Sequence, residues 1–243
     1  MAITSWCPMP SAGPEPNVRG LTKGLFVEAG FTIHTKGFER FFAALPKCLQ
    51  MTECTGSWSP GERTDGVGTG RSGHLRWNWE TWQQHCLVES LKVFRREAHS
   101  RHKKGKKVIF IGNGGSAAIA SHMAVDWTKN GPIRAVAFND AATLTCLSND
   151  HGYANVFAKQ LDYYAQKGDL VVIISSSGKS PNILAAARAA NTLGLDSVRL
   201  SGMDPENELK RGGRLNFYVP ADDYGLVELT HLCLLHSVVS VAL

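Results

Sequence analysis

The stretch Lys107-Val-Ile-Phe-Ile-Gly-Asn-Gly-Gly-Ser116 decides how this chain folds, because an apolar strand runs through a glycine loop straight into a helix-competent sequence. Such a turn suits an anion. Lacking Cβ atoms, the glycines let backbone N–H groups approach a ligand closely, and the positive end of the helix beginning near Ser116 attracts negative charge. Alone, the turn could be no more than a tight strand-to-helix connection. A second stretch of the same design argues against that: Leu170-Val-Val-Ile-Ile-Ser-Ser-Ser-Gly-Lys-Ser180 puts hydroxyls where the first has glycines, and Pro181 then opens another helix. Two anion-binding loops on one sheet point to a phosphorylated small molecule as ligand.

Outward from these loops the pattern alternates. Short apolar runs predict strands near 107–112, 133–138, 169–174, 197–201 and 215–219, as parallel strands buried on both faces should read. Helices are expected over about 115–129, 140–148, 153–166, 181–193, 205–211 and from 225 onward. The fold class is therefore α/β, an open, doubly wound, five-stranded parallel sheet flanked by helices, with ligands bound outside the carboxyl ends of the strands. Both loops fall at that edge. A preceding helix is expected from Trp79 to Lys104, through Trp82, Cys86, Leu87, Leu91 and Phe94, with Gly105 as its C-cap.

Upstream the signal weakens. Residues 1–36 mix Pro, Gly and polar residues without periodicity and read as a loosely packed extension. Phe38, Phe41, Phe42 and Leu45 recur at helical spacing until Pro46, an aromatic stripe of the kind that packs. Residues 52–73 are rich in Gly, Ser, Thr and charge and read as a linker. The expected organisation is an N-terminal extension over 1–75 and a folded domain over 76–243.

Composition excludes several function classes. With 43% hydrophobic and 19% charged residues the chain is an ordinary globular protein, neither disordered nor membrane-embedded. Its +5 net charge comes largely from Arg101-His-Lys-Lys-Gly-Lys-Lys107, and basic residues at a helix C-terminus answer its dipole. No aromatic interleaving accompanies them, so no nucleic-acid partner is expected. Six cysteines without CxxC pairing argue against a zinc knuckle or a disulfide framework. The amino terminus shows no basic region followed by an apolar core, and the apolar run 232–243 is too short to span a bilayer. The expectation is a cytoplasmic protein without membrane contact.

Within Ile174-Ser-Ser-Ser-Gly-Lys-Ser-Pro-Asn182, Ser180 suits the N-cap and Pro181 the first helical position, which accounts for one hydroxyl only. Ser175, Ser176 and Ser177 are surplus and suit a phosphate monoester. The spacing is not that of a Walker loop. Gly112-Asn-Gly-Gly-Ser116 followed by Ser175-Ser-Ser-Gly-Lys-Ser180 resembles the sugar isomerase (SIS) domain, in particular its phosphoheptose isomerase branch. Ser148-Asn-Asp-His-Gly-Tyr153 and Val219-Pro-Ala-Asp-Asp-Tyr-Gly225 support the resemblance, which covers roughly residues 80–243.

That resemblance implies a flavodoxin-like SIS fold and a homotetramer with active sites between subunits. The implied reaction is the interconversion of sedoheptulose 7-phosphate and the corresponding aldoheptose 7-phosphate through an enediol. It carries substrate binding to Asn113, Gly114, Gly115, Ser116, Asn149, Asp150, Ser175, Ser176, Ser177, Ser180 and Glu228. Asp126 and His236 become the base and acid, and His122, Asp126, Glu228 and His236 the ligands of Zn²⁺ or another divalent ion. The family has a glutamate where this chain has Asp126 and a glutamine where it has Glu228. Helical spacing adds independent support: His122 and Asp126 are four apart on one helix, and Glu228 and His236 share a broad face of another, whereas His231 lies round the helix and reads as a packed core residue. The alternative to an isomerase of this or another phosphosugar is a non-catalytic SIS module that binds sugar phosphates or proteins.

Overall fold

The computed structural model describes residues 47–48, 52–56 and 79–240, and the compact unit Phe41–Leu243 carries all of them. The expected extension over 1–36 and the Phe38–Leu45 stripe lie outside the described residues. The strands are β1 (Glu53–Gly56), β2 (Val108–Gly112), β3 (Ala135–Ala137), β4 (Leu170–Ser175), β5 (Asp196–Gly202) and β6 (Leu215–Val219). The helices are α1 (Trp79–Lys103), α2 (Gly114–Lys129), α3 (Ala141–His151), α4 (Val156–Tyr164), α5 (Pro181–Thr192) and α6 (Tyr224–Ser240). The sheet order is β1-β6-β5-β4-β2-β3. Strands β2 to β6 are the five parallel strands expected from the sequence.

Four expectations need correction. Residues 52–73, read as a linker, contain β1, an antiparallel edge strand pairing Glu53 with Tyr218 and Gly56 with Leu215, so the sheet has six strands and extends into the segment assigned to the extension. The helix expected over 205–211 is only a 3₁₀ turn, Glu208–Lys210, because the Asn207 side chain takes the Lys210 N–H and holds the preceding loop through Asp204 O. The helix expected over 153–166 is split into a 3₁₀ turn, Tyr153–Asn155, and α4, both following Gly152 at φ 76°. Finally α3 runs on to His151, so Asn149 and Asp150 lie on a helix.

The period-two alternation of the strands builds two cores. Val108, Phe110, Val172 and Ile174 face α1, α2 and α6, where Phe94, Trp127 and Phe217 pack. Ile109, Ile111, Val171 and Ile173 face α3, α4 and α5 with Phe157 and Leu161. Trp127 stands 5.0 Å from the Phe110 ring and 5.2 Å from Phe94, while its indole N–H donates to Leu235 O, fastening α2 to α6. At the amino-terminal edge of the sheet the basic run is used partly for tethering. Lys107 Nζ meets the buried Asp169 carboxylate at 2.5 Å, and Arg101 pairs with Glu97 and Asp196. Among the described residues Cys48, Cys146 and Cys233 are free thiols, and no helix is long and apolar enough to cross a membrane.

His231 is fully buried on α6, as its position round the helix predicts. A carbonyl can only accept, so its Nε2–H donates to Ser201 O at 3.1 Å, leaving Nδ1 buried without a partner. Burial, opposed by that bond, pushes its pKa down to about 4. Protonation therefore favours the unfolded chain: the contribution is complete above about pH 6.5 and is lost as pH falls toward 4, amounting to roughly 3 kcal/mol. Urea denaturation of the wild type and His231→Gln across this range checks it. The wild type should lose stability more steeply with acid, and parallel profiles would refute the assignment.

Candidate active site

The site forms where strand order reverses. From β2 the chain steps to β3 on one side and then returns to β4 on the other, and the β2–β4 register ends at Gly112 opposite Ile174. The two anion loops thus leave the sheet side by side, at the switch point where open α/β sheets bind ligands. Gly112 has to be glycine here, since a Cβ would stand 2.5 Å from Ser116 O.

Asn113, Ser116, Ser175, Ser176, Ser177, Ser180, Tyr224 and Glu228 line a cleft of about 100 Å³ at this point. Two helix N-termini open into it without the side-chain caps that usually occupy them. Asn113 is the N-cap of α2 and Ser180 that of α5, and neither makes a side-chain capping bond. Asp140, by contrast, caps α3 in the usual way by accepting from Thr143 N at 2.8 Å. Ser175 Oγ accepts from Gly178 N and Ser177 Oγ from Lys179 N, which tightens the loop. The Ser176 hydroxyl is buried and has no partner at all, a cost that a ligand's acceptor oxygen would remove. Lys179 reaches Asp204 at 2.7 Å and does not line the cleft. Anion binding here therefore rests on dipoles and hydroxyls.

Glu228 comes from the second turn of α6 and lies against α2: a Cβ on Gly115 would be 2.2 Å from its Oε2. Its carboxylate is the one formal charge among the residues lining the cleft. The remaining predicted groups assemble elsewhere. His122 Nε2 lies 3.2 Å from His236 Nε2, and His236 Nδ1 lies 3.4 Å from Asp126 Oδ2, whose other oxygen accepts from the Asn130 amide. His236 is eight residues beyond Glu228 on the same helix, or about 12 Å along its axis. The expected four-ligand Zn²⁺ set is thus not assembled within one chain, and no group of three or more His, Cys, Asp or Glu among the described residues is arranged to hold a metal ion. The two histidines meet each other directly, and Glu228 stays with the serines.

Asn149 and Asp150 also stay away from the cleft. They are exposed on α3, where Asn149 Nδ2 donates to Asp150 Oδ1, a bond that, with Cys146, holds the Asp150 carboxyl below its usual range. Three contributors were not singled out from sequence. Tyr224 lines the cleft as the first residue of α6, and Tyr153 and Asn182 hydrogen-bond to Asn113. Tyr224 lies in the stretch 219–225 that supports the resemblance, and Asp223 just before it caps α6 by accepting from Leu226 N.

Fold and cleft together define a SIS-domain protein, and residues 96–202 match the SIS domain family. Over 166 residues, 65% of this chain and 87% of the relative, the sequence is 35% identical to the phosphoheptose isomerase of Campylobacter concisus. The structure of a phosphoheptose isomerase from Neisseria gonorrhoeae is similar at TM-score 0.59 and 32% identity, covering 65% of this chain and 87% of that one. One from Francisella tularensis gives TM-score 0.60 at 27% identity, over 65% and 86%. The chain belongs to the phosphoheptose isomerase family.

Because the Ser176 hydroxyl has no internal partner, Ser176→Ala should leave thermal stability unchanged or slightly raised. Inorganic phosphate should bind the variant about 10- to 100-fold more weakly, the scale of one hydrogen bond to a charged group. Titrating phosphate while following the melting temperature of both proteins checks this. Equal phosphate stabilisation would place the anion elsewhere.

Proposed function

We propose that this chain is an aldose–ketose isomerase interconverting sedoheptulose 7-phosphate and D-glycero-D-manno-heptose 7-phosphate through an enediol. What supports this reading is the serine-lined cleft at the beginnings of α2, α5 and α6 together with the His122, His236 and Asp126 cluster further along α2 and α6, His236 lying about 12 Å of helix rise beyond Glu228. In a heptose 7-phosphate the reacting carbons, C1 and C2, lie at the far end of the chain from the phosphate. Groups that move protons should therefore stand well away from groups that hold the phosphate.

Ser175, Ser176, Ser177 and Ser180 hold the phosphate with the free N–H groups of Gly114, Gly115 and Ser116. The ionised Glu228 can only accept, so it takes hydroxyls of the sugar and turns the phosphate away from itself. At the far end Asp126 removes the proton alpha to the carbonyl and His236 serves the oxygen, with His122 behind it. His236 stands between the two, its Nδ1 3.4 Å from Asp126 Oδ2 and its Nε2 3.2 Å from His122 Nε2. A non-catalytic binding module would leave this cluster without a use. The same reading carries a cytoplasmic location and a homotetramer with active sites between subunits, supported by the exposure of Val125 and Leu229 on the two helices that carry His122 and His236.

Incubation with sedoheptulose 7-phosphate in deuterated water should place deuterium on carbon in substrate and product. Asp126→Asn should slow that exchange at least about 100-fold, as loss of a general base does. Ketose phosphates with shorter chains should bind through the phosphate yet exchange more slowly. Absence of exchange across several ketose phosphates would overturn the enzymatic reading in favour of a binding module.

A further inference from the structure

Asparagine at an N-cap ordinarily accepts a hydrogen bond from one of the next backbone N–H groups, but Asn113 makes none. Its amide is held by two other residues, and the polarity of that network can be followed outward from the backbone. Ile183 N–H can only donate, and it donates to Asn182 Oδ1 at 3.0 Å. The same oxygen accepts from Asn113 Nδ2 at 2.8 Å, and Asn182 Nδ2 donates back to Asn113 Oδ1 at 2.9 Å. Tyr153 OH lies 3.1 Å from that Oδ1 and has to be a donor too. Both lone pairs of Asn113 Oδ1 are then filled, and one of its two N–H groups is used. What remains to face the cleft is a single N–H.

We propose that Asn182 and Tyr153 are positioning residues that lock Asn113 as a hydrogen-bond donor only, so that it meets an acceptor oxygen of the ligand. That oxygen belongs to the phosphate, since Asn113 lines the cleft with Ser175, Ser176, Ser177 and Ser180. The inference rests on the phosphosugar reading of the cleft and narrows the expected substrate-binding role of Asn113 to that of a donor. Flipping the amide would set its nitrogen against the Asn182 amide nitrogen, and Asn182 cannot follow without losing Ile183 N–H; the Tyr153 hydroxyl adds to this by filling the second lone pair of Asn113 Oδ1. Asn182 is almost fully buried, whereas Tyr153 is 55% exposed on the turn after Gly152, so the tyrosine can be changed without disturbing the core.

The test uses the full chain with Tyr153→Phe, Tyr153→Leu and Asn182→Asp. The phenylalanine variant removes only the hydroxyl, and the aspartate keeps the acceptor for Ile183 and Asn113 but cannot donate back. Tyr153→Phe should keep the wild-type melting temperature and lose about 5- to 10-fold, the scale of one neutral hydrogen bond, in phosphate affinity. Inorganic phosphate should bind more weakly and KM should rise, whereas a fall in kcat with KM and phosphate affinity unchanged would overturn the assignment of the acceptor to the phosphate. Tyr153→Leu should match Tyr153→Phe, since the hydroxyl and not the ring acts, and Asn182→Asp should shift the same readout. Unchanged kcat, KM and phosphate affinity in Tyr153→Phe would overturn the lock. Should the wild type show no turnover, the isomerase reading fails by itself, and phosphate affinity alone decides the lock, weakened binding supporting it and unchanged binding overturning it.

Discussion

The parallel pairing of β2 with β4, from Val108 opposite Leu170 to Gly112 opposite Ile174, is the constraint on which the site depends. It places the N-termini of α2 and α5 next to one another, and each contributes backbone N–H groups that no carbonyl of its own helix can satisfy. Two partial positive charges side by side would repel if nothing lay between them. The chain could have quenched both with its N-cap side chains, as Asp140 does for α3. Asn113 is instead tied to Asn182 and Tyr153, and Ser180 makes no cap. The field is left for a ligand. An anion is therefore the missing electrostatic partner of this sheet edge, and the unpartnered Ser176 hydroxyl says the same in terms of hydrogen bonding.

The second structural pair is α2 with α6. They run side by side in the same direction, since Gly115 meets Glu228 at their beginnings and His122 and Asp126 meet His236 further on. Trp127 clamps them by filling the core and donating to Leu235 O. The absence of a side chain at Gly115 allows Glu228 to lie flat against α2. Its negative charge rests beside the positive helix end, which offsets part of the cost of holding a carboxylate in a phosphate cleft. One helix pair thus fixes where the Glu228 carboxylate lies beside the cleft and where the imidazoles stand.

How much of this was legible in the sequence depended on whether a residue's role is set by its own segment. The five parallel strands were, because each is buried on both faces and reads as an apolar run. So were the two loops, whose glycines and serines exceed what a turn needs. Strand β1 was not: a four-residue edge strand is held by its backbone pairing to β6, and the composition of residues 53–56 resembles a loop. The helix expected over 205–211 failed because one buried side chain, Asn207, outcompetes the helix for backbone groups. For Glu228 and His236 the helical angle was right and the rise was left out. Residues eight apart share a face while standing about 12 Å apart along the axis, so within one chain Glu228 lies with the serines and His236 with His122. Asn149 and Asp150 were drawn into the site by resemblance, and within one chain α3 carries them to the solvent.

The eight-residue step along α6 from Glu228 to His236 is also what gives the site a length. On the proposed reading, a phosphate held at the sheet edge would make the α2–α6 pair a ruler, and what reaches the histidine cluster would depend on how many carbons lie between phosphate and carbonyl. Chain length can then be selected by reach, without a pocket closed around the far end. Stereochemistry needs something more, since reach does not distinguish one hydroxyl configuration from another. In the cleft the groups of fixed polarity are Glu228, which accepts, and Asn113, whose remaining hydrogen donates. An acceptor and a donor set against rigid helices impose a sense on the ligand between them. That is the physical basis on which one phosphosugar can be preferred to its epimers in a cleft otherwise built to grip any phosphate.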